Sequence, residues 1–416
     1  MLSRILVDMI RGHRPGPGAL DPTARTSPVA GFPSRGEDRG RPARPAARRT
    51  ARPGDVPVHG TGPVRAPRPV RAAPVRGTAP ERLAGLLREG GLDLPRPGHG
   101  ATAARWATLA RWGRSDLPLA RLAEGHADAV AILDDAGGTP EPGMLYGVWA
   151  ARSGGTGGEL TGGAGAWKLR GTVRFCSGAH DLDRALVVAS GPSGMRLVDV
   201  RLDDPGIRRI DDSWNTAGMR ASDTLDVEFH GVAVADDALL GDPGFYTDRP
   251  GFWWGGAGVA AVWLGGAAGI VDDLFALLRD RGPDPHQLAH AGALHAALQA
   301  TDALLVRTAE QIDADPKSDH RTAAWTARAV AEQTCRTVLD VAPRVAGVAA
   351  LSRGGTLAQR LADLGVYVRQ HHGERDLAAL GAAVLATGDL ATRDLAIGAP
   401  VTETRGAGGR DGSAAR

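Results

Sequence analysis

Two short stretches of this 416-residue chain hold the side chains best suited to chemistry. The first, Trp167-Lys168-Leu169-Arg170-Gly171-Thr172-Val173-Arg174-Phe175-Cys176-Ser177-Gly178, closes a β-type run with an aromatic ring, a thiol and a hydroxyl in succession. The second runs from Tyr367 to Asp376 and gathers two imidazoles and a carboxylate, His371, His372 and Glu374, groups that move protons near neutral pH. Each has a plainer alternative: Phe175 as core, Ser177-Gly178 as a turn, the histidines as polar residues on an exposed helix face. The Gly154-Gly155-Thr156-Gly157-Gly158 stretch is followed by no Gly-Lys-Ser/Thr and opens no helix with G-x-G-x-x-G, so it is expected to be a flexible loop. Cys176 and Cys335 are too far apart for metal-ligand spacing, the acids do not cluster, and no metal site is expected.

These residues need elements to hold them. Glu81–Glu89, Ala101–Trp112 and Leu119–Leu133 place apolar residues at helical spacing, which predicts a short helical domain over 81–145. After Pro142 the pattern becomes short β-type runs: Leu145–Ala150, Trp167–Phe175, Arg184–Ser190, Met195–Arg201 and Thr224–Val234. A β-domain over 146–250 follows from them. From Gly251 long Ala/Leu/Val-rich patterns return, with breaks near Gly282-Pro283, Asp315-Pro316 and Gly354-Gly355, as in a helical bundle over 251–398. The fold class is therefore α+β multidomain: a short N-terminal helical domain, a central antiparallel β-barrel-like domain and a C-terminal helical bundle. Residues 1–80, dense in Pro, Gly, Ala and Arg, and the tail 399–416 are expected to be disordered.

A formal net charge of +2 asks for no polyanionic partner, and the arginines of 1–80 have hardly any aromatic residues among them for base stacking, so nucleic acid is not expected. No run of eighteen apolar residues marks a membrane span, and Asp8 and Arg-Pro-rich sequence interrupt the N-terminus before a secretory core can form. With only two cysteines the expected location is cytoplasmic.

Several blocks resemble the acyl-CoA dehydrogenase superfamily. Trp167–Ala179 running into Asp183–Ala189 is similar to its Trp-x-x-x-Gly-x-x-x-aromatic strand followed by a small hydroxyl residue and the next strand. Trp214–Thr224, then Val227–Val234 and Leu239-Leu240-Gly241, is similar to its Gly-x-Arg-x-Ser-x-Thr segment, and Tyr146–Ala150 stands where the family's first strand meets the flavin. The resemblance covers about residues 85 to 395. It implies an FAD flavoprotein of fatty acid metabolism that carries out α,β-dehydrogenation of an acyl-CoA or related thioester. Electrons would pass to an electron-transfer flavoprotein, and the protein would be a homo-oligomer. Phe175 would pack on the isoalloxazine and Ser177 would bond near N5, with Trp149 and Cys176 beside them. Arg279 and Arg281 would reach the pyrophosphate of a neighbouring subunit, although the family's Arg-x-x-Phe-Gly form is absent.

The family's late Glu-Gly pair, the source of its catalytic base, is also absent. Its position falls near His371 or His372, with Glu374 just beyond. A sister branch, the flavin-dependent two-component hydroxylases with a type 2 C-terminal domain, shares the Phe-Cys/Ser-Ser-Gly strand and a late histidine. There Ser177 with His371 or His372 would be the working pair, and a flavin reductase the partner. A catalytically silent scaffold is the third alternative.

Overall fold

The computed structural model describes residues 78–353 and 355–387; nearly all of the segment 1–80 and the tail 399–416 lie outside the described residues. Helix α1 (Ala79–Arg88) opens with a capping box between Thr78 and Glu81, and is followed by α2 (Thr102–Ser115) and α3 (Leu117–Asp135). Only Asp116 separates α2 from α3. Its carboxylate accepts from Leu119 N at 2.9 Å, capping α3, and takes Arg82 of α1 at 2.7 Å, so one residue fixes a sharp corner and ties three helices.

Helix α3 is apolar on nearly every side. Leu117 and Ala120 belong to the bundle core, Leu122 and Ala123 to the sheet core, and Ala129, Ile132 and Leu133 to a third cluster with Tyr146, Leu186 and Leu197. A helix buried all round must sit inside the molecule.

Eight strands form one sheet: β1 (Tyr146–Trp149), β2 (Gly157–Thr161), β3 (Trp167–Cys176), β4 (Arg184–Gly191), β5 (Gly194–Arg201), β6 (Ile207–Ile210), β7 (Leu225–Val234) and β8 (Leu239–Leu240). The order is β6-β7-β3-β2-β4-β5-β8, with β1 also on β4. Two pairings are parallel: β1 and then β2 lie one after the other along β4, Tyr146 opposite Arg184 and Gly158 opposite Ala189. The remaining ladders are antiparallel. Of the Gly-rich stretch expected to be a loop, Gly154–Thr156 are turn and loop, and Gly157 and Gly158 open β2. A Cβ on Gly171 would stand 2.4 Å from Gly157 O, so glycine lets β2 and β3 close up, and the composition that reads as flexibility serves close packing.

The bundle contains α5 (Gly251–Arg281), α6 (Pro285–Ala314), α7 (Arg321–Ala346), α9 (Thr356–Tyr367) and α10 (Glu374–Thr387), with the short α4 (Phe245–Asp248) before it and α8 (Val348–Ser352) inside it. The helices break close to the expected Gly282-Pro283, Asp315-Pro316 and Gly354-Gly355. Helix α5 is long and apolar enough to cross a membrane by length and composition, and 67% of its most apolar stretch is buried inside the fold. Its small residues meet α2 backbone to backbone. A Cβ on Gly265 would stand 2.0 Å from Ala110 O, and one on Gly113 2.3 Å from Val262 O.

Gly265→Val is expected to destabilise the protein by about 2 kcal/mol or more, because neither backbone can give way. Gly292→Ala, on α6 with open space around it, should be neutral or stabilising by up to about 1 kcal/mol. Denaturant midpoints of the two variants check the contrast. A second prediction concerns the joint between α3 and β1, where Tyr146 N donates to His126 Nδ1 at 3.1 Å. Only an unprotonated Nδ1 can accept, and burial lowers His126 to about 4. The unfolded imidazole titrates near ~6.5, so the contribution is complete above that pH and is lost as pH falls toward 4, on the order of 3 kcal/mol in all. His126→Asn should flatten the stability–pH curve over that window.

Candidate flavin-binding site

The end of β3 turns abruptly. Phe175 has φ 59°, and Met219 (56°) and Asp223 (44°) are the other non-glycine residues with positive φ among those described. Each such conformation costs about 1–2 kcal/mol, and all three lie where β3 ends and β7 begins. The turn leaves the Phe175 ring 52% exposed, edge-on to Trp214 with 6.3 Å between ring centroids. Cys176 goes the other way: it is fully buried, its Sγ donates to Val173 O at 3.3 Å, and burial pushes its thiol up. Of the residues expected beside the cofactor, Cys176 thus has its side chain in the sheet core, directed there by the turn that exposes Phe175.

Ser177 is placed by strand register. Cys176 pairs with Leu225 across β3 and β7, which brings the next residue of each strand's extension, Ser177 and Thr224, together. Thr224 Oγ1 donates to Ser177 Oγ at 3.0 Å, leaving the Ser177 proton for another acceptor. Ser222 Oγ lies 2.8 Å from Thr224 Oγ1 and donates to Met219 O at 2.7 Å. Trp149 is 2% exposed and donates from Nε1 to Ser177 O at 3.1 Å, so it anchors the turn from behind. Ser177, Trp149 and Leu182 on the sheet side face Arg121, Leu122 and Gly125 of α3 across a cleft whose void is only about 10 Å³.

Behind the cleft the interior is charged. Arg121, Glu124 and Asp128 occupy positions i, i+3 and i+7 of α3, one helix face, and Arg121 Nη1 donates to Glu124 Oε2 at 2.9 Å. Burial pushes Glu124 up to about 7; Arg121 pulls it back and Asp128 adds to the rise. Tyr367, at the end of α9, feels the charges of Glu124, Arg121 and Arg328. Arg328, on α7, lies over the Trp263 ring with 4.7 Å to its centroid and donates to Gln370 O at 3.4 Å.

His371 follows Gln370 and is 6% exposed, with Nδ1 accepting from Gly373 N at 3.2 Å. Burial lowers its pKa, against an upward pull from Asp376. His372 is exposed and paired with Asp376 at 3.3 Å, and Glu374 is exposed in the first turn of α10. Of the three proton-moving residues singled out in the sequence, only His371 points inward, because the chain leaves its last 3-10 turn there before α10 begins on the surface. Arg279 and Arg281 are exposed at the far end of α5, about 27 Å beyond Trp263 along the helix axis, and Arg281 donates to Ala346 O at 3.2 Å. They do not meet the Ser177 cleft within this chain. Arg121, Glu124, Arg328 and Tyr367 were missed in the sequence; the one signal was three charged residues sharing a face of an otherwise apolar helix. Among the described residues no group of His, Cys, Asp or Glu is placed to hold a metal.

No family model matches the chain. The dibenzothiophene monooxygenase of Mycolicibacterium goodii is 27% identical over 178 residues, 36% of this chain and 42% of that protein. The probable FMNH2-dependent monooxygenase SfnC of Pseudomonas putida is 28% identical over 182 residues, 37% of this chain and 43% of that protein. The matched stretch thus spans under half of either relative. Two solved structures align over far more. A nitrososynthase from Micromonospora carbonacea var. africana superposes with TM-score 0.63 at 21% identity, covering 73% of this chain and 89% of that one. The dibenzothiophene monooxygenase TdsC from Paenibacillus sp. A11-2, in complex with FMN and indole, gives 0.60 at 21% identity, covering 74% and 95%.

These similarities correct the expected activity. FAD-dependent dehydrogenation of an acyl-CoA in fatty acid metabolism is overturned, since both sequence relatives carry the name monooxygenase, SfnC as a probable FMNH2-dependent one, and TdsC holds FMN. An acyl-CoA substrate and an electron-transfer flavoprotein partner lose their support with it. What the superpositions establish directly is architectural: this chain has the acyl-CoA dehydrogenase-like fold.

Proposed function

We propose that the protein is an FMN-dependent monooxygenase that receives reduced flavin from a separate reductase. The observation that carries this is His371: a buried imidazole, its pKa lowered by burial, stands near the position where acyl-CoA dehydrogenation needs a carboxylate base, while Glu374 is on the surface. The similarity to FMN-dependent monooxygenases supports the same conclusion.

The residues at the end of β3 fit a flavin ring. A half-exposed aromatic held in a strained turn beside Trp214 offers a flat apolar shelf, and Ser177, fixed by Thr224, offers a hydroxyl proton at its edge. Bound reduced FMN would supply two electrons to dioxygen, so that one oxygen atom enters the substrate and the other leaves as water. Phe175 and Trp214 would orient the ring. Ser177 would donate its proton toward the reacting edge, and Trp149 would keep the Ser177 carbonyl in place. His371, neutral, would take up or return a proton while the apolar sheet and bundle walls exclude water. In a homo-oligomer, Arg279 and Arg281 would serve a neighbouring copy's flavin phosphate.

The test is oxygen uptake with NADH, a flavin reductase and FMN, followed by mass spectrometry of products formed under labelled dioxygen across organosulfur, indole and amino-sugar substrates. Labelled oxygen should enter a product only when the reductase is present. Failure of the protein to bind reduced FMN anaerobically would sink the proposal. Ser177→Ala should keep flavin affinity within a few-fold but lower product formation about 10²-fold and raise hydrogen peroxide release. Because burial keeps His371 neutral to lower pH than a free imidazole, the acid limb of the rate–pH profile should lie below about 6.5 and disappear in His371→Gln.

A further inference from the structure

The shelf at the end of β3 is not held by the sheet alone. Met219, one of the non-glycine residues in the left-handed region, donates its N–H to Asp363 Oδ1, on α9 of the bundle, at 2.6 Å. A conformation of that kind persists only where its surroundings over-determine it. Gln359, one turn earlier on α9, donates from Nε2 to the same Oδ1 at 2.9 Å and to Ala217 O at 3.1 Å, so two residues of one helix grip Ala217 and Met219. Gly218 between them lies against the helix backbone: a Cβ there would stand 2.0 Å from Ala362 O. From Met219 the contacts run on to the shelf. Its carbonyl accepts from Trp214 Nε1 at 3.3 Å and from Ser222 Oγ at 2.7 Å, Ser222 Oγ stands 2.8 Å from Thr224 Oγ1, and Thr224 holds Ser177.

Asp363 is buried, and both groups that donate to its Oδ1 are uncharged. The guanidinium of the neighbouring Arg360 is turned instead to Asp273 at 3.1 Å and to Arg114 O at 2.7 Å. Taking a carboxylate out of water on such terms costs free energy; burial raises its pKa, and the Met219 amide pulls it back. What the placement achieves is alignment. Helix α9 ends at Tyr367 and leads through one 3-10 turn to His371, so the helix that grips Met219 also carries the buried imidazole. We propose that Asp363 is a positioning residue for the flavin site, fixing Met219, and through it the Trp214 ring and the Ser177 hydroxyl, in register with the helix that leads to His371. The assignment rests on the monooxygenase reading for what the shelf holds, and deepens it by naming the group that joins the sheet half of the site to the bundle half. Asp363 transfers no proton in this role. An acceptor oxygen at this spot is what the Met219 N–H needs, so a side-chain amide should serve and an alkyl group should not.

The experiment compares Asp363→Ala, Asp363→Asn and Asp313→Ala by two measurements on the full chain, amide hydrogen exchange without flavin and anaerobic titration with reduced FMN. Asp313 is the control: its carboxylate likewise accepts backbone amides, from Gly100 at 3.0 Å and Thr102 at 2.8 Å, but at the start of α2, so its loss costs stability without releasing Met219. Asp363→Ala should speed exchange about tenfold or more over Met219–Thr224 and the Ser177 turn, and weaken FMN binding about tenfold. Asp363→Asn should bring both back to within about threefold of the parent. Asp313→Ala should lower Tm and change neither. Gly218→Ala keeps Asp363 but forces the segment off α9, so it should reproduce Asp363→Ala and carries the same test if that variant does not fold. Exchange over Met219–Thr224 no faster in Asp363→Ala than in Asp313→Ala, or no recovery in Asp363→Asn, overturns the proposal. A parent protein that binds no reduced FMN removes the monooxygenase reading, while the exchange contrast still decides whether Asp363 positions the shelf. Flavin binding with exchange and affinity both indifferent to Asp363 does the reverse.

Discussion

The structure depends on one helix serving three cores at once. Leu117–Asp135 sends buried side chains into the bundle, into the sheet and into the cluster around Tyr146, and none of these could close without it. That demand explains the residue that caps its start and a histidine at its middle. Asp116 must cap it and hold Arg82, because a helix with no solvent face cannot fray, and His126 must accept the Tyr146 amide, because that N–H is buried with it. The same demand makes the charges on its inner face costly. Arg121 and Glu124 are out of water, and a buried ion pair is weak ground for stability, so its presence is better explained by what it faces than by what it holds together.

The candidate site is thus a joint between parts of different character. Its sheet side is built by backbone strain and hydroxyl hydrogen bonds, which fix positions closely. Its helical side is built by long charged side chains and a tyrosine, which set electrostatics. The rigid shelf suits a planar ring, and the charged groups beyond it set the electrostatics on that ring's far side.

The sequence made some of this legible for reasons that can be traced. Apolar spacing over Leu119–Leu133 announces a helix, and the Trp167–Gly178 block locates the exposed aromatic and its neighbouring hydroxyl, because both signals are local. What was not legible is non-local. Arg121, Glu124 and Asp128 look like a solvated stripe, and only the tertiary packing of α3 shows them to be enclosed. Nothing in the run from His371 to Glu374 says which side chain turns inward, since a single 3-10 turn decides it. Gly157–Thr161 was hidden because glycine marks flexibility and close strand approach alike. The flavin was misjudged because Phe175 and Ser177 would address the isoalloxazine, which FAD and FMN share, and no residue of that block addresses the part of the cofactor in which they differ.

The Thr224–Ser177 hydrogen bond has a meaning apart from chemistry. It joins residues just past the ends of two paired strands, and it exists only when Cys176 stands opposite Leu225. In a pleated ladder a slip of one residue turns every side chain to the opposite face, so this bond is an internal gauge of alignment between segments nearly fifty positions apart in the chain. A chain that has mispaired these strands therefore lacks the site from the outset, and the capacity to bind a flavin ring would serve as a probe of correct sheet assembly.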